Sequence, residues 1–190
     1  MKLTIENKSK LEMFVALFQV LKNWSSHINL QFQEDQLYIQ GIDKSHVGLA
    51  SIHIKSNWFA TYSINKEQVN SAAIDSTHFA IMLNCALKHN KMEIILDDDD
   101  KLNINFMNNN KETKDKFDHF FEIPLMDVDE DALAIPDIEY DVDFSIDSKQ
   151  FSDLINELGV FGTELHVKCS EDILEFNSSG DLGKLKVNIP

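Results

Sequence analysis

Three stretches of this chain repeat one order of periodicities (strand, helix, strand, strand, strand), and that repetition restricts the fold more than any single motif. In the first, Lys2 to Glu6 alternates as a strand does and Leu11 to Trp24 keeps helical spacing. His27 to Phe32, Gln36 to Ile42 and Val47 to Ile54 then alternate between polar turns. The second places a weaker strand at Gln68 to Ala73, a helix from Asp75 or Ser76 to about Leu87, and strands at Met92 to Leu96, Leu102 to Phe106 and Phe117 to Ile123. The third has a strand at Asp141 to Ile146, a helix from Ser148 to Leu158 with Ser148 as its N-cap, and strands at Glu164 to Cys169, Ile173 to Asn177 and Lys184 to Ile189. Helices beginning about 70 residues apart exceed the short solenoid periods. The expected class is α+β, with helices on one face of antiparallel sheets.

A different kind of segment separates the second and third repeats. Ile123 to Tyr140 has no lysine and six acids, with prolines near both ends. Proline removes a backbone donor and disfavours helix just before it, so an extended linker is expected. The domains are then 1–122, with two repeats, and 141–190, with one, joined by 123–140. A lone helix on three or four strands leaves a long unpaired edge. The third repeat therefore reads as the first half of a second domain in a longer chain.

The helices carry ordinary core stripes. Leu11, Phe14, Phe18 and Leu21 line one face of the first, and Glu12, Ala16, Gln19 and Asn23 the opposite one. The second buries Phe79, Met82, Leu83 and Ala86, and the third Leu154, Ile155 and Leu158. No apolar run reaches membrane length and the N-terminus lacks a signal-peptide core, so a place inside the cell with no membrane partner is expected.

Composition removes several chemistries. All 17 basic residues are lysine, against 32 acids, so bidentate arginine readout of bases is not available. Cys85 and Cys169 form no short-spaced pair and read as small buried hydrophobes. The seven histidines show no metal-ligand spacing, and Asp97 to Asp100 reads as a solvated hairpin turn rather than a cation loop. No nucleophile elbow or phosphate-cradling glycine loop is present. Trp24 and Trp58 read as packing residues rather than stacking platforms. Neither an enzyme nor a cofactor is expected.

Three separated motifs then carry a resemblance. Gly41-Ile42-Asp43-Lys44-Ser45-His46-Val47-Gly48-Leu49, continuing through Ser56-Asn57-Trp58-Phe59-Ala60-Thr61-Tyr62, resembles the signature of proliferating cell nuclear antigen, the eukaryotic-type sliding clamp. Leu125-Met126-Asp127-Val128-Asp129, Leu133-Ala134-Ile135-Pro136 and Tyr140 resemble its interdomain connecting loop. Asn177-Ser178-Ser179-Gly180-Asp181-Leu182-Gly183 resembles a turn of its second domain. The match runs in order along essentially the whole chain.

The resemblance implies a DNA-clamp fold and a homotrimeric ring that slides on duplex DNA and serves as a DNA polymerase processivity factor. Its implied partners are DNA, polymerases and other clamp-binding peptides, a clamp-loader ATPase and copies of itself, in the nucleus or a viral replication compartment. A clamp-fold scaffold or checkpoint-type subunit that does not itself hold DNA is the alternative. The implied client groove comprises Ile42, His46, Val47, Leu49, Leu133, Ile135 and Tyr140, although Ile42, Val47 and Leu49 also read as strand core. The implied subunit interface comprises Phe117, Phe121, Ile155, Leu158, Lys184, Leu185, Lys186 and Val187.

Where family members line the ring with basic residues, this chain has Glu12, Met13, Gln19, Ile81, Asn84, Asp153 and Asn156. Lys10, Lys22, Lys88 and Lys149 remain to face DNA, which implies weak, weakly salt-dependent contact. The position matching the family's main ubiquitin-acceptor lysine is Glu171.

Overall fold

The first strands of the two opening repeats are exchanged between sheets. A computed structural model gives β1 (Lys2–Ile5), α1 (Lys8–Trp24), β2 (His27–Phe32), β3 (Gln36–Ile42), β4 (Leu49–Lys55), β5 (Thr61–Ser63), β6 (Ser71–Asp75), α2 (Ser76–Leu83), β7 (Lys91–Asp98), β8 (Lys101–Met107) and β9 (His119–Pro124). One antiparallel sheet runs β5-β1-β7-β8-β9 and the other β4-β3-β2-β6. Thus β1 pairs with β7 of the second repeat, and β6 with β2 of the first. The structure describes residues 1–65, 70–98, 101–108, 117–127, 133–135, 139–170 and 173–189, with Asp98 by its backbone alone.

The chain divides into two compact units, Met1–Ala134 and Ile135–Pro190. In the first, α1 buries Leu11, Phe14, Val15, Phe18 and Leu21. Phe18 meets Phe79 of α2 edge-on at 4.7 Å, so one aromatic pair joins the two helices. Each such side chain removed from water contributes about 1.5–3 kcal/mol, and the inward residues of both sheets complete the core. The second unit packs α3 (Ser148–Gly159) on the sheet β10 (His166–Ser170), β11 (Ile173–Gly180), β12 (Gly183–Ile189). Its small core centres on Leu154, Leu158 and Phe176.

Helix starts follow side-chain capping. The Asn7 side chain accepts from the Lys10 amide at 3.1 Å, starting α1 three residues before the expected Leu11. Asp75 accepts from the His78 amide at 2.7 Å. Asp147, not Ser148, caps α3, accepting from the amides of Lys149 at 3.0 Å and Gln150 at 3.1 Å. A carboxylate one residue earlier reaches the free N–H groups, so Ser148 becomes the first helical residue.

Other expectations change. The second helix stays α-helical only to Leu83, and Asn84–Lys88 tightens into a 3-10 turn. Asp141 to Ile146 is not a strand, because the exchange seen above seats a first strand in its companion repeat's sheet, and among the described residues no such sheet adjoins it. Phe144 still packs edge-on against Phe176, at 6.1 Å. Ser56–Trp58 forms a 3-10 turn and β5 pairs with β1, neither of which the periodicity signalled. Cys169 is exposed and Cys85 half-buried, so neither is a buried hydrophobe. Residues 68–69 of the expected weak strand, 99–100 of the acidic turn, Glu171 and parts of the linker lie outside the described residues. Among the described residues no helix is long and apolar enough to cross a membrane.

Candidate functional site

Strand alternation gives β3 two faces. Leu37 and Ile39 point into the core, which leaves Gln36, Tyr38, Gln40 and Ile42 on the opposite face. Register sets His53, Ser51 and Leu49 of β4 directly across from Tyr38, Gln40 and Ile42. An outward face normally meets water, yet Gln40 is only 6% exposed.

The linker supplies the cover. Leu133 donates its amide to Gln40 Oε1 at 2.7 Å, and its carbonyl accepts from Gln40 Nε2 at 2.9 Å. The side-chain amide thus pairs with Leu133 as a neighbouring strand would. Gln40 Nε2 also donates to the Tyr38 hydroxyl at 2.8 Å, which fixes the amide's orientation. At the other end the Met126 amide donates to the Ala73 carbonyl of β6 at 2.8 Å. Ala73, Asn29, Gln40 and Ser51 form one row across the four strands. The linker is therefore anchored at two points of one row.

Beside that row, a short loop joins β3 to β4 and is organised by Asp43. Its Oδ2 accepts from the Ser45 amide at 3.0 Å and from the Ser45 hydroxyl, and its Oδ1 from the Val47 amide at 2.7 Å and the Gly48 amide. The Ser45 hydroxyl, then the backbone amides, hold this carboxyl far below the usual carboxylate range. His46 takes a left-handed φ of 57° at the turn. Gly48 lies under the Trp24 indole, where a Cβ would stand 2.7 Å from the ring. The loop so pinned presents Val47 at 88% exposure.

Five of the seven groove residues fall on this part of the first unit. Ile42 is half-buried at the end of β3, His46 and Val47 lie on the loop, Leu49 opens β4, and Leu133 sits on Gln40. Val47 and Leu49 are exposed, not strand core. Ile135 and Tyr140 belong to the second unit and are exposed there. Sequence reasoning missed Gln40, whose alternation places it outside but gives no sign of what covers it.

The four lysines differ in freedom. The Lys10 ammonium donates to the Trp58 carbonyl and lies 5.2 Å from the centre of its ring. Lys22 donates to Gln19 Oε1 at 2.6 Å, and Gln19, rather than facing outward, bridges to α2 through the Ala80 carbonyl at 2.7 Å. Lys88 and Lys149 are exposed. Met13, Val20 and Ile81 are also exposed on these helices.

Of the expected interface residues, Phe121 lies on the edge strand β9 with Phe117 just before it, Lys184 to Val187 lie on the edge strand β12, and Ile155 and Leu158 lie on α3. Phe117 is 78% exposed, and its carbonyl faces Nε2 of the buried His89 at 2.9 Å while Nδ1 faces the Cys85 carbonyl at 2.9 Å. Phe121 turns inward onto Phe106, at 5.5 Å, and strand alternation points Phe120 outward instead, at 70% exposure. Leu158 is 2% exposed in its own unit's core, which removes it from any subunit surface; Ile155 beside it is half-buried. Lys184 is exposed, Leu185 and Val187 lean on that core, and Lys186 pairs with Glu175 at 2.5 Å.

Residues 5–132 match the family model for the N-terminal domain of proliferating cell nuclear antigen, and residues 134–190 match that for its C-terminal domain. The chain belongs to the proliferating cell nuclear antigen family. Proliferating cell nuclear antigen 1 of Plasmodium falciparum is 30% identical over 174 residues, covering 90% of this chain and 61% of that protein. The chain thus spans less than two thirds of that relative's length. Proliferating cell nuclear antigen of Saccharomyces cerevisiae is 25% identical over 93% of this chain and 67% of its own length. A protein of Paramecium bursaria Chlorella virus 1 described as a probable DNA polymerase sliding clamp 2 is 24% identical over 94% of this chain and 63% of its own. A crystal structure of the antigen from Thermococcus kodakaraensis has the same fold, with a TM-score of 0.77 over 99% of this chain and 72% of that one, at 15% identity.

Proposed function

We propose that this chain serves in a sliding clamp: a non-catalytic ring of three copies that encircles duplex DNA and tethers polymerases and other replication proteins. The observation that carries the reading is the tandem of two family domains, with the joining segment anchored across the outer row of the four-stranded sheet. Beside it, Val47, Leu49 and Leu133 offer exposed apolar side chains, a surface suited to a client's aliphatic and aromatic anchors. The free edges of β9 and β12 suit head-to-tail strand addition between protomers.

Retention by threading needs little adhesion, which accords with a net charge of −15 and with the internal bonds of Lys10 and Lys22. A loader ATPase and a nuclear or viral replication site accompany this reading. Primer extension by polymerase with a clamp loader on long templates tests it. Longer products, and slower release from circular than from linear templates, are expected; equal release from both overturns it.

A second reading is a clamp-fold scaffold that holds clients but not DNA. It is favoured by the helix faces, where Lys10 and Lys22 are internally bonded and Met13, Val20 and Ile81 stand exposed. Client binding without longer extension products would select it.

A further inference from the structure

Gln40 is a polar side chain with no charge, on a sheet face, yet it makes three hydrogen bonds while almost wholly buried. Two go to the main chain of a residue 93 positions away. Beside it in the row, Asn29 Oδ1 is buried and has no hydrogen-bond partner. Among the described residues, the side-chain hold on Leu133 is that of Gln40. The other anchor, at Met126, is backbone to backbone and independent of side-chain identity.

We propose that Gln40 is the positioning residue of the client surface: it fixes the height and register of Leu133 over the sheet, so that the apolar rim exists before a client arrives. This rests on the reading of that face as a client site and names the residue that preorganises it. Buried hydrogen bonds are costly to leave unmade, so Leu133 is held in one arrangement rather than several. An unlatched linker presents Leu133 correctly only part of the time, and apparent affinity falls by that fraction. Gln40 itself touches no client. Its contribution passes through Leu133.

The test uses the full-length protein and a labelled peptide presenting aliphatic and aromatic anchors. Gln40→Met keeps the side chain's length and removes donor and acceptor together. Loss of amide-exchange protection at Leu133 and affinity lower by about tenfold are expected. Gln40→Glu keeps an acceptor for the Leu133 amide but sets a carboxylate against its carbonyl, so protection and affinity both fall between wild type and Gln40→Met. In a Leu133→Ala background Gln40→Met should cost little further affinity, because the shared route is already lost. Unchanged affinity despite an unprotected Leu133 amide overturns the inference, as does an equal loss in the Leu133→Ala background. A wild-type protein that binds no peptide while Gln40 still protects Leu133 overturns the client site and this role with it, and the exchange data tell that failure apart from the other two.

Discussion

The Lys10 ammonium caps the Trp58 main chain, donating to its carbonyl while lying 5.2 Å from the centre of the indole ring. A charge held this way is both hydrogen-bonded and partly covered. Lys88, on the 3-10 turn after α2, is exposed.

The two lysines should therefore separate in a salt titration of DNA association. Each phosphate neutralised contributes about 0.9 to the slope of log affinity against log salt. Lys88→Gln should lower the slope by close to that amount per contacting lysine, while Lys10→Gln should leave it nearly unchanged and weaken packing at Trp58. Equal slopes for the two variants would show that Lys10 releases Trp58 to reach phosphate.

Gly48 and Trp24 make a second sharp test. A Cβ at Gly48 would stand 2.7 Å from the indole, but Trp24 is partly exposed and can swing away. Gly48→Ala should therefore cost about 1–3 kcal/mol and expose the indole, seen as a red shift of tryptophan emission. An unchanged spectrum would mean that the backbone, not the ring, gives way.

Glu93 governs part of the acid response. Burial raises its pKa, but hydrogen bonds from Lys2 and Lys91, each at 3.1 Å, and their charges outweigh burial and leave it lowered. A depressed folded value means that this stabilisation is present above the unfolded value of 4.5 and is lost as pH falls below it toward the lower folded value. Denaturant unfolding from pH 7 to 3 should show that loss in the wild type. Glu93→Gln should be less stable at pH 7 by about 1–2 kcal/mol and flatter in acid.

Phe120 and Phe121 should divide the labour of the β9 edge. Phe120→Asp places a charge on the outward face and should yield monomers by light scattering at micromolar concentration, with the fold intact by circular dichroism. Phe121→Ala should instead cost about 3 kcal/mol of stability through lost packing on Phe106. A stable trimer for Phe120→Asp would move the interface off this edge.

Local chemistry made much of this legible in advance. The boundaries of β2 and β3 follow from alternation, and the buried faces of α1 and α2 from helical spacing. The 3-10 turn at Ser56–Trp58 and the short β5 carried no periodic signal, because three residues are too few to show one. Capping shifted starts by a few residues, since several adjacent side chains were competent and geometry chose among them.

The sequence by itself determined most of the order of elements, including two full repeats and the helix and three strands of the third, and the acidic, proline-flanked composition of the linker, because spacing, capping and proline act over a few neighbouring residues. Only the tertiary structure decided that β1 and β6 exchange sheets, that Gln40 holds Leu133, that Lys10 turns to Trp58 and that Phe120 rather than Phe121 faces out. Most of these are contacts between residues tens of positions apart, and the last depends on which face of β9 the assembled sheet buries. Such choices are fixed by the packing of whole elements, which no local pattern encodes.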